Sequence, residues 1–169
     1  MKGSYREICP VPFEQQPLNE YEQLKESWFF RWATLEPVIY RKKLAWVWIW
    51  SWILVGPIAA YSFPLQKKPI LFILSGGVGT SLIVGLLLLR LYLGWFYISD
   101  RLKADKVFYE ESGWYDGQIW QKTPEVLTRD RLILSYQVEP ILKRLQQTAL
   151  VLASLIGSSS LLWFCLENT

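Results

Sequence analysis

Three stretches of the chain carry no charged residue, and each is as long as a bilayer core is thick. The first, Leu44 to Tyr61, reads LAWVWIWSWILVGPIAAY; the others run from Pro69 to Leu89 and from Thr148 to Leu166. At about 1.5 Å per helical residue these runs cover roughly 27–31 Å, close to the ~30 Å hydrocarbon core. Pro57 lies inside the first run. In a soluble helix it would cost about 3 kcal/mol, but membrane helices tolerate such kinks when neighbours satisfy the freed carbonyl. A soluble three-helix core would need runs of this length covered on every face by a small remainder. The pattern therefore predicts an all-α membrane protein with three transmembrane helices: 44–61, 69–98 with an interfacial extension past Arg90, and 148–166. Tyr92, Trp95, Phe96 and Tyr97 supply that extension with an aromatic belt.

The polar segments between the runs, 1–43 and 99–147, add a small amount of structure. Cys9-Pro10-Val11-Pro12 and Gln15-Gln16-Pro17 are punctuated by proline and predict an extended arm laid over another surface. Asn19 reads as an N-cap with Glu22 at N3, opening an amphipathic helix in which Tyr21, Leu24, Trp28, Trp32 and Leu35 recur at helical steps. That stripe either packs on the protein's own cytoplasmic segment or lies in the membrane plane with Trp28, Phe29 and Trp32 at the headgroups. Lys106–Glu110 and Gln118–Gln121 flank the turn pairs Ser112-Gly113 and Asp116-Gly117 and predict a small β-hairpin. An isolated hairpin is marginal, so it needs a surface to lean on. Thr123-Pro124-Glu125 predicts a helix start, with continuation to a kink at Pro140 and on into the third span. Leu127, Leu134, Val138, Ile141 and Leu145 form its apolar stripe.

Charge orients this arrangement. Arg41-Lys42-Lys43 precede the first span, Arg101, Lys103 and Lys106 follow the second, and Lys143-Arg144 precede the third, against only Lys67 and Lys68 on the other side. Positive charge is retained on the cytoplasmic face, so the N-terminus and residues 99–147 are expected there, stromal in a plastid, with the C-terminus lumenal. The net charge of +3, from 18 basic and 15 acidic residues, does not suggest nucleic-acid binding. Histidine is absent, which removes the commonest general base and the commonest haem, chlorophyll and zinc ligand. The N-terminal residues lack an apolar leader segment. Cys9 and Cys165 fall near opposite ends of the chain, on opposite sides of the membrane in this topology, so no intrachain disulfide is expected.

Small residues recur every fourth position in two spans: Gly77, Ser81 and Gly85 in the second, Ala149, Ala153 and Gly157 in the third. Such stripes let helices approach closely in lipid, so the two spans either pack on each other or present one stripe to another membrane subunit. Trp46 and Trp50 fall on one helical face and Trp48 and Trp52 nearly opposite, which reads as a reinforced interfacial belt with one pair toward lipid, or as a pigment or quinone contact. Glu110, Glu111 and Asp116 form the one acidic cluster. A solvated or salt-bridged turn explains it more simply than a metal or acid–base site, because no nucleophile–base pair accompanies it.

Two stretches, CPVPFEQQPLNEYEQL (9–24) and VFYEESGWYDGQIWQKTPEVLTRDRLILSYQVEPILKRL (107–145), resemble the hypothetical chloroplast frame thirty-six family, small membrane proteins of cyanobacteria and plastids. The resemblance implies a thylakoid location and a role linked to oxygenic photosynthesis, and supplies no catalytic residue. Without a transit peptide, the chain reads as cyanobacterial or plastid-encoded. The expected function is that of a non-catalytic auxiliary or assembly factor for photosystem core subunits or assembly intermediates, bedded in membrane lipid. Trp114, Tyr115 and Trp120 serve as aromatic anchors beside Glu110, Glu111 and Asp116. The alternative is a carrier of pigment (chlorophyll or carotenoid), quinone or lipid. No metal or obligatory cofactor is expected.

Overall fold

The computed structural model describes residues 9–110 and 117–167. Its helices are α1 (Pro17–Glu26), α2 (Pro37–Ser62), α3 (Pro69–Lys103), α4 (Pro124–Ile133) and α5 (Glu139–Glu167), and its strands are β1 (Lys106–Tyr109) and β2 (Gln118–Gln121). Short 3-10 turns occupy Phe13–Gln15 and Phe30–Thr34, and a π-helical turn, Leu134–Val138, joins α4 to α5. Three helices are long and apolar enough to cross a membrane: α2, α3 and the run Pro124–Leu166 that ends in α5. With an antiparallel hairpin beside these helices, this is the α-helical membrane protein that the apolar pattern predicts.

The helices outrun the apolar stretches where nothing stops them. α2 begins at Pro37, which fits the first helical position because its missing N–H would be unsatisfied there anyway. α3 continues without proline through the charged positions Arg90, Asp100 and Arg101, and its 35 residues extend over about 52 Å. Pro140 has no N–H to return to the carbonyl four residues back. The chain widens there: the N–H of Glu139 bonds to the carbonyl of Leu134, five residues away. The expected kink is thus a π turn, and Leu134, Val138, Ile141 and Leu145 are buried as the stripe requires, with Leu127 half-buried.

The amphipathic N-terminal helix is shorter than expected. It starts at Pro17, with Gln16 in the N-cap position, and ends at Glu26, because the backbone of Ser27 turns extended. Asn19 is inside the helix, and its amide donates back to the carbonyl of Phe13 at 2.7 Å. Trp28 and Trp32 therefore belong to a separate corner and do not continue the stripe of Tyr21.

By contact, the chain divides into two compact units: Leu35–Tyr92 with Arg144–Thr169, and Met1–Thr34 with Leu93–Lys143. In the first, α2 and α3 meet through side chains that interlock. Trp48 donates its indole N–H to Ser81 at 3.2 Å, and Trp52 stacks beside Phe72 and over Gly76. A methyl group at Gly76 would run into the Trp52 ring, and one at Gly79 would lie 2.6 Å from Val55. Trp46 and Trp50, on the other face of α2, are exposed. The small-residue stripes do not pair as a zipper: Ser81 faces α2, and of the glycines in the two stripes only Gly85 approaches the facing helix, near Leu152. A Cβ at Gly77 or Gly157 would meet nothing within 4 Å. Ala149 and Ala153 are exposed. The close approach falls instead on Gly76 and Gly79, one helical face away from Gly77. In the same unit Arg144 donates to the carbonyl of Leu35, at 2.6 Å, and Tyr40 donates to Thr148, at 3.3 Å.

Candidate functional site

In the second unit, the strands pair in the register Lys106↔Gln121, Val107↔Trp120, Phe108↔Ile119 and Tyr109↔Gln118. Alternation sends Val107 and Tyr109 to one face, where both are buried against Val11 of the extended arm, with Cys9 and Trp120 packed alongside. The surface that the arm covers is thus the chain's own hairpin. Gln15 extends the ladder by one rung: its amide oxygen accepts from the backbone N–H of Glu110 and its amide nitrogen donates to the Glu110 carbonyl, both at 2.9 Å.

Two cations hold this assembly to the end of α3. Arg101 makes a two-pronged pair with Glu20 of α1, both N···O distances being 3.0 Å. It also donates to the carbonyls of Phe108, at 3.1 Å, and Gln15, at 2.8 Å. One guanidinium thereby joins α1, the arm and β1 to α3, using the planar fork of donors that lysine lacks. Lys122, just past β2, is deeper. Its ammonium donates to the carbonyls of Arg101, at 2.9 Å, and Leu102, at 3.2 Å, and lies 2.9 Å from a carboxylate oxygen of Asp130 in α4. The side chains of Lys122 and Asp130 are 0% and 1% exposed. A cation over the last carbonyls of a helix matches its negative end, and the buried carboxylate balances the charge. Tyr21 completes the core, donating to Gln137 of the π turn and setting its ring edge against Trp95. Trp95 is fully buried and donates to the carbonyl of Phe30, so it leaves the expected belt, while Phe96 and Tyr97 remain exposed.

Among the described residues, none gives the outer face of the hairpin such cover. Phe108 is 63% exposed and Ile119, directly across from it, is 59% exposed. A two-stranded sheet with one face on its own core ordinarily turns polar residues to water on the other. Here the outward cross-strand pair is apolar, on a backbone held rigid from behind. Of the expected contact residues, Glu110 is exposed at the end of β1 and Trp120 is half-buried within the internal cluster, so Trp120 is a core residue before it is an anchor. Trp114, Tyr115, Glu111 and Asp116 lie outside the described residues. The arm, expected to lie over another surface, has Val11 committed to the interior. Arg101, Lys122, Glu20, Asp130, Phe108 and Ile119 are the residues that sequence reasoning missed. The run of apolar residues at both alternating positions, Val107-Phe108-Tyr109 against Ile119-Trp120, was the legible signal for the last two.

Among the described residues, each unit has a concave feature. A groove of about 700 Å³ beside Trp120 is lined by Cys9, Phe13, Leu18, Val126 and Arg129. In the first unit, a cleft of about 680 Å³ opens between α3 and α5, walled by Gly85, Leu88, Ala149, Ala153 and Ile156. Beside it Gln146 donates to the Tyr92 hydroxyl at 3.2 Å. Among the described residues, no three acidic, cysteine or histidine side chains converge as metal ligands, and no disulfide joins Cys9 to Cys165.

The chain matches the family model described as CGLD27-like, Conserved in the green lineage and diatoms 27, over residues 9–151. It is 48% identical to the ycf36 protein of Pyropia yezoensis over 160 residues, covering 95% of this chain and 97% of that one. It is 47% identical to the ycf36 protein of Porphyra purpurea over the same length and shares. The chloroplastic protein Conserved in the green lineage and diatoms 27 of Arabidopsis thaliana is 46% identical over 154 residues, 90% of this chain and 47% of that longer one. These ycf36 relatives are the hypothetical chloroplast frame thirty-six group of the sequence resemblance. No solved structure matches the chain.

Proposed function

The chain belongs to the CGLD27-like family, and from that premise we propose that it is a non-catalytic membrane protein of the thylakoid that acts as an auxiliary or assembly factor for a photosynthetic complex. Its spans serve as a mount, and the hairpin, on the stromal or cytoplasmic side, is the working surface. The observation that carries this reading is the exposed Phe108–Ile119 pair on a hairpin whose reverse face is buried. A small apolar patch on a rigid support loses little conformational freedom on docking, which is how a few residues come to dominate an interface. The chloroplastic relative of Arabidopsis thaliana and the ycf36 proteins of Pyropia yezoensis and Porphyra purpurea support a photosynthetic membrane as its setting. Photosystem core subunits or their assembly intermediates are the partner class; nucleic acid and a metal cofactor have no part in the reading.

Affinity purification from native membranes tests it. The Phe108→Ser, Ile119→Ser double variant should insert normally yet lose its co-purifying photosynthetic subunits. Retention of the same subunits by that variant, or their absence from the parent preparation, would sink the reading. Trp114→Ala with Tyr115→Ala is the companion variant, since both residues belong to the same connection.

The apolar cleft between α3 and α5 favours a second reading, a carrier of chlorophyll, carotenoid, quinone or lipid held between helices. Its discriminator is an absorption spectrum of the gently purified protein: bound pigment would promote the carrier reading over the docking one.

A further inference from the structure

The corner between α1 and the 3-10 turn Phe30–Thr34 gathers four aromatic residues in five positions, Trp28, Phe29, Phe30 and Trp32. Three of them are engaged. Phe30 presses on Gly94 of α3, where a Cβ would overlap its ring, and its carbonyl accepts from the buried Trp95 at 3.2 Å. Phe29 and Trp32 pack on each other with ring centroids 5.7 Å apart, and both are half-buried. Trp28 is different: it touches Trp32 edge-on at 5.6 Å, and the side chain as a whole is 78% exposed. A residue of this size and cost to hydrate, projecting from a corner that is itself well packed, asks for an apolar or interfacial neighbour.

The place of the corner along α3 says which. Phe30 is seated at Gly94, five residues past Leu89, the end of the charge-free run, and thus about 7 Å further along the helix axis. The interfacial layer on each side of a ~30 Å hydrocarbon core is about 5–7 Å thick. On the same stretch of α3, Leu93, Phe96 and Tyr97 are exposed, the belt of a helix that faces lipid. Lys25 and Arg31, on either side of Trp28 in the chain, are exposed cations, suited to phosphate oxygens at that depth. We infer that the Trp28 corner is an interfacial anchor whose partner is the headgroup layer of the bilayer, continuous with the lipid-facing belt of α3. It fixes the depth of the module that carries the hairpin, and it does not depend on the docking role of Phe108 and Ile119.

Spin labelling tests this on the full chain reconstituted in phosphatidylcholine–phosphatidylglycerol vesicles. With Cys9 and Cys165 replaced by Ser, a nitroxide is placed in turn at Trp28→Cys, Tyr97→Cys and Glu22→Cys. Its collisions with oxygen, which concentrates in lipid, and with a water-soluble nickel chelate are then compared. The label at 28 should match that at 97, with an oxygen-to-nickel ratio several-fold above that at the exposed polar position 22. A ratio equal to that at 22 overturns the inference, and so does a label shielded from both reagents, which would mean protein cover. Should the cysteine variants misfold, quenching of tryptophan fluorescence by brominated lipids is the substitute. The quenched fraction should fall on going from the parent to Trp28→Tyr, and no change would overturn the anchor equally.

Discussion

Each of the two units has its own kind of internal contact. In the unit containing α2, α2 and α3 interlock by shape: Trp52 fills the space that Gly76 vacates, and Val55 that of Gly79. In the unit containing the hairpin, shape is secondary to charge. Arg101 and Lys122 collect carbonyls and carboxylates from the arm, α1, β1, α4 and the end of α3. The difference teaches how to read their surfaces. Exposed Trp46, Trp50 or Leu86 on a span is what lipid requires, whereas exposed Phe108, Ile119 and Trp28 on a charge-latched module call for an explanation.

The comparison breaks most visibly at Lys122. Lys122→Met leaves the buried Asp130 with only the half-exposed Arg129, 3.3 Å from its other carboxylate oxygen, and leaves the last carbonyls of α3 without their donor. A loss of about 3–5 kcal/mol is expected, read as rapid proteolysis of the hairpin while the spans stay helical by circular dichroism. Adding Asp130→Leu should recover much of that loss, because removing both charges also removes the desolvation penalty. Arg101→Lys keeps the charge but not the fork. It should cost about 1.5–3 kcal/mol by the same readout, the two-pronged pair with Glu20 and one or both carbonyl bonds being lost.

The apolar unit should answer to volume instead. Gly76→Ala is expected to lower thermal stability in detergent by about 1–3 kcal/mol through collision with Trp52, whereas Gly77→Ala, one residue on and facing open space, should be neutral or stabilising by about 0.5–1 kcal/mol. Equal effects at the two positions would erase the contrast. The smallest effect belongs to Phe108→Ser with Ile119→Ser. These are expected to stay within about 0.5 kcal/mol of the parent in stability while abolishing partner capture, which separates a working surface from a structural one.

Much of this architecture was legible in the residues. Charge-free runs long enough to span a bilayer specify helices because lipid leaves the backbone no other partner, and the short β-branched and aromatic runs Val107–Tyr109 and Ile119–Trp120 on either side of glycine turns specify strands. Proline marked the helix start at 124 and the irregularity before 140, whereas the starts at Pro17 and Pro37 lie away from the expected ones at Asn19 and Leu44. Legibility failed where a residue's role depends on what reaches it from far along the chain. Trp28 and Trp32 share a helical period with Tyr21, yet the helix stops at Glu26, because Phe30 is committed to Gly94 some sixty residues away. Gly77 satisfied the small-residue spacing as well as Gly76 did, and only the position of Trp52 tells them apart.

By itself, then, the sequence determined what the chain must do with its apolar residues: cross a membrane three times, pair two short strands, and cover the inner face of that hairpin. Those outcomes follow from local length, period and backbone hydrogen bonding, which neighbouring residues settle. The tertiary structure alone decided that Lys122 caps α3 against Asp130, that Arg101 and not Trp120 organises the module, and that Phe108, Ile119 and Trp28 are left outside. Burial of a charge or exposure of an aromatic ring is a property of the packed whole. It is set by contacts far apart in the chain, such as Lys122 with Leu102, 20 residues away, and Arg101 with Glu20, 81 residues away, and no local pattern encodes them.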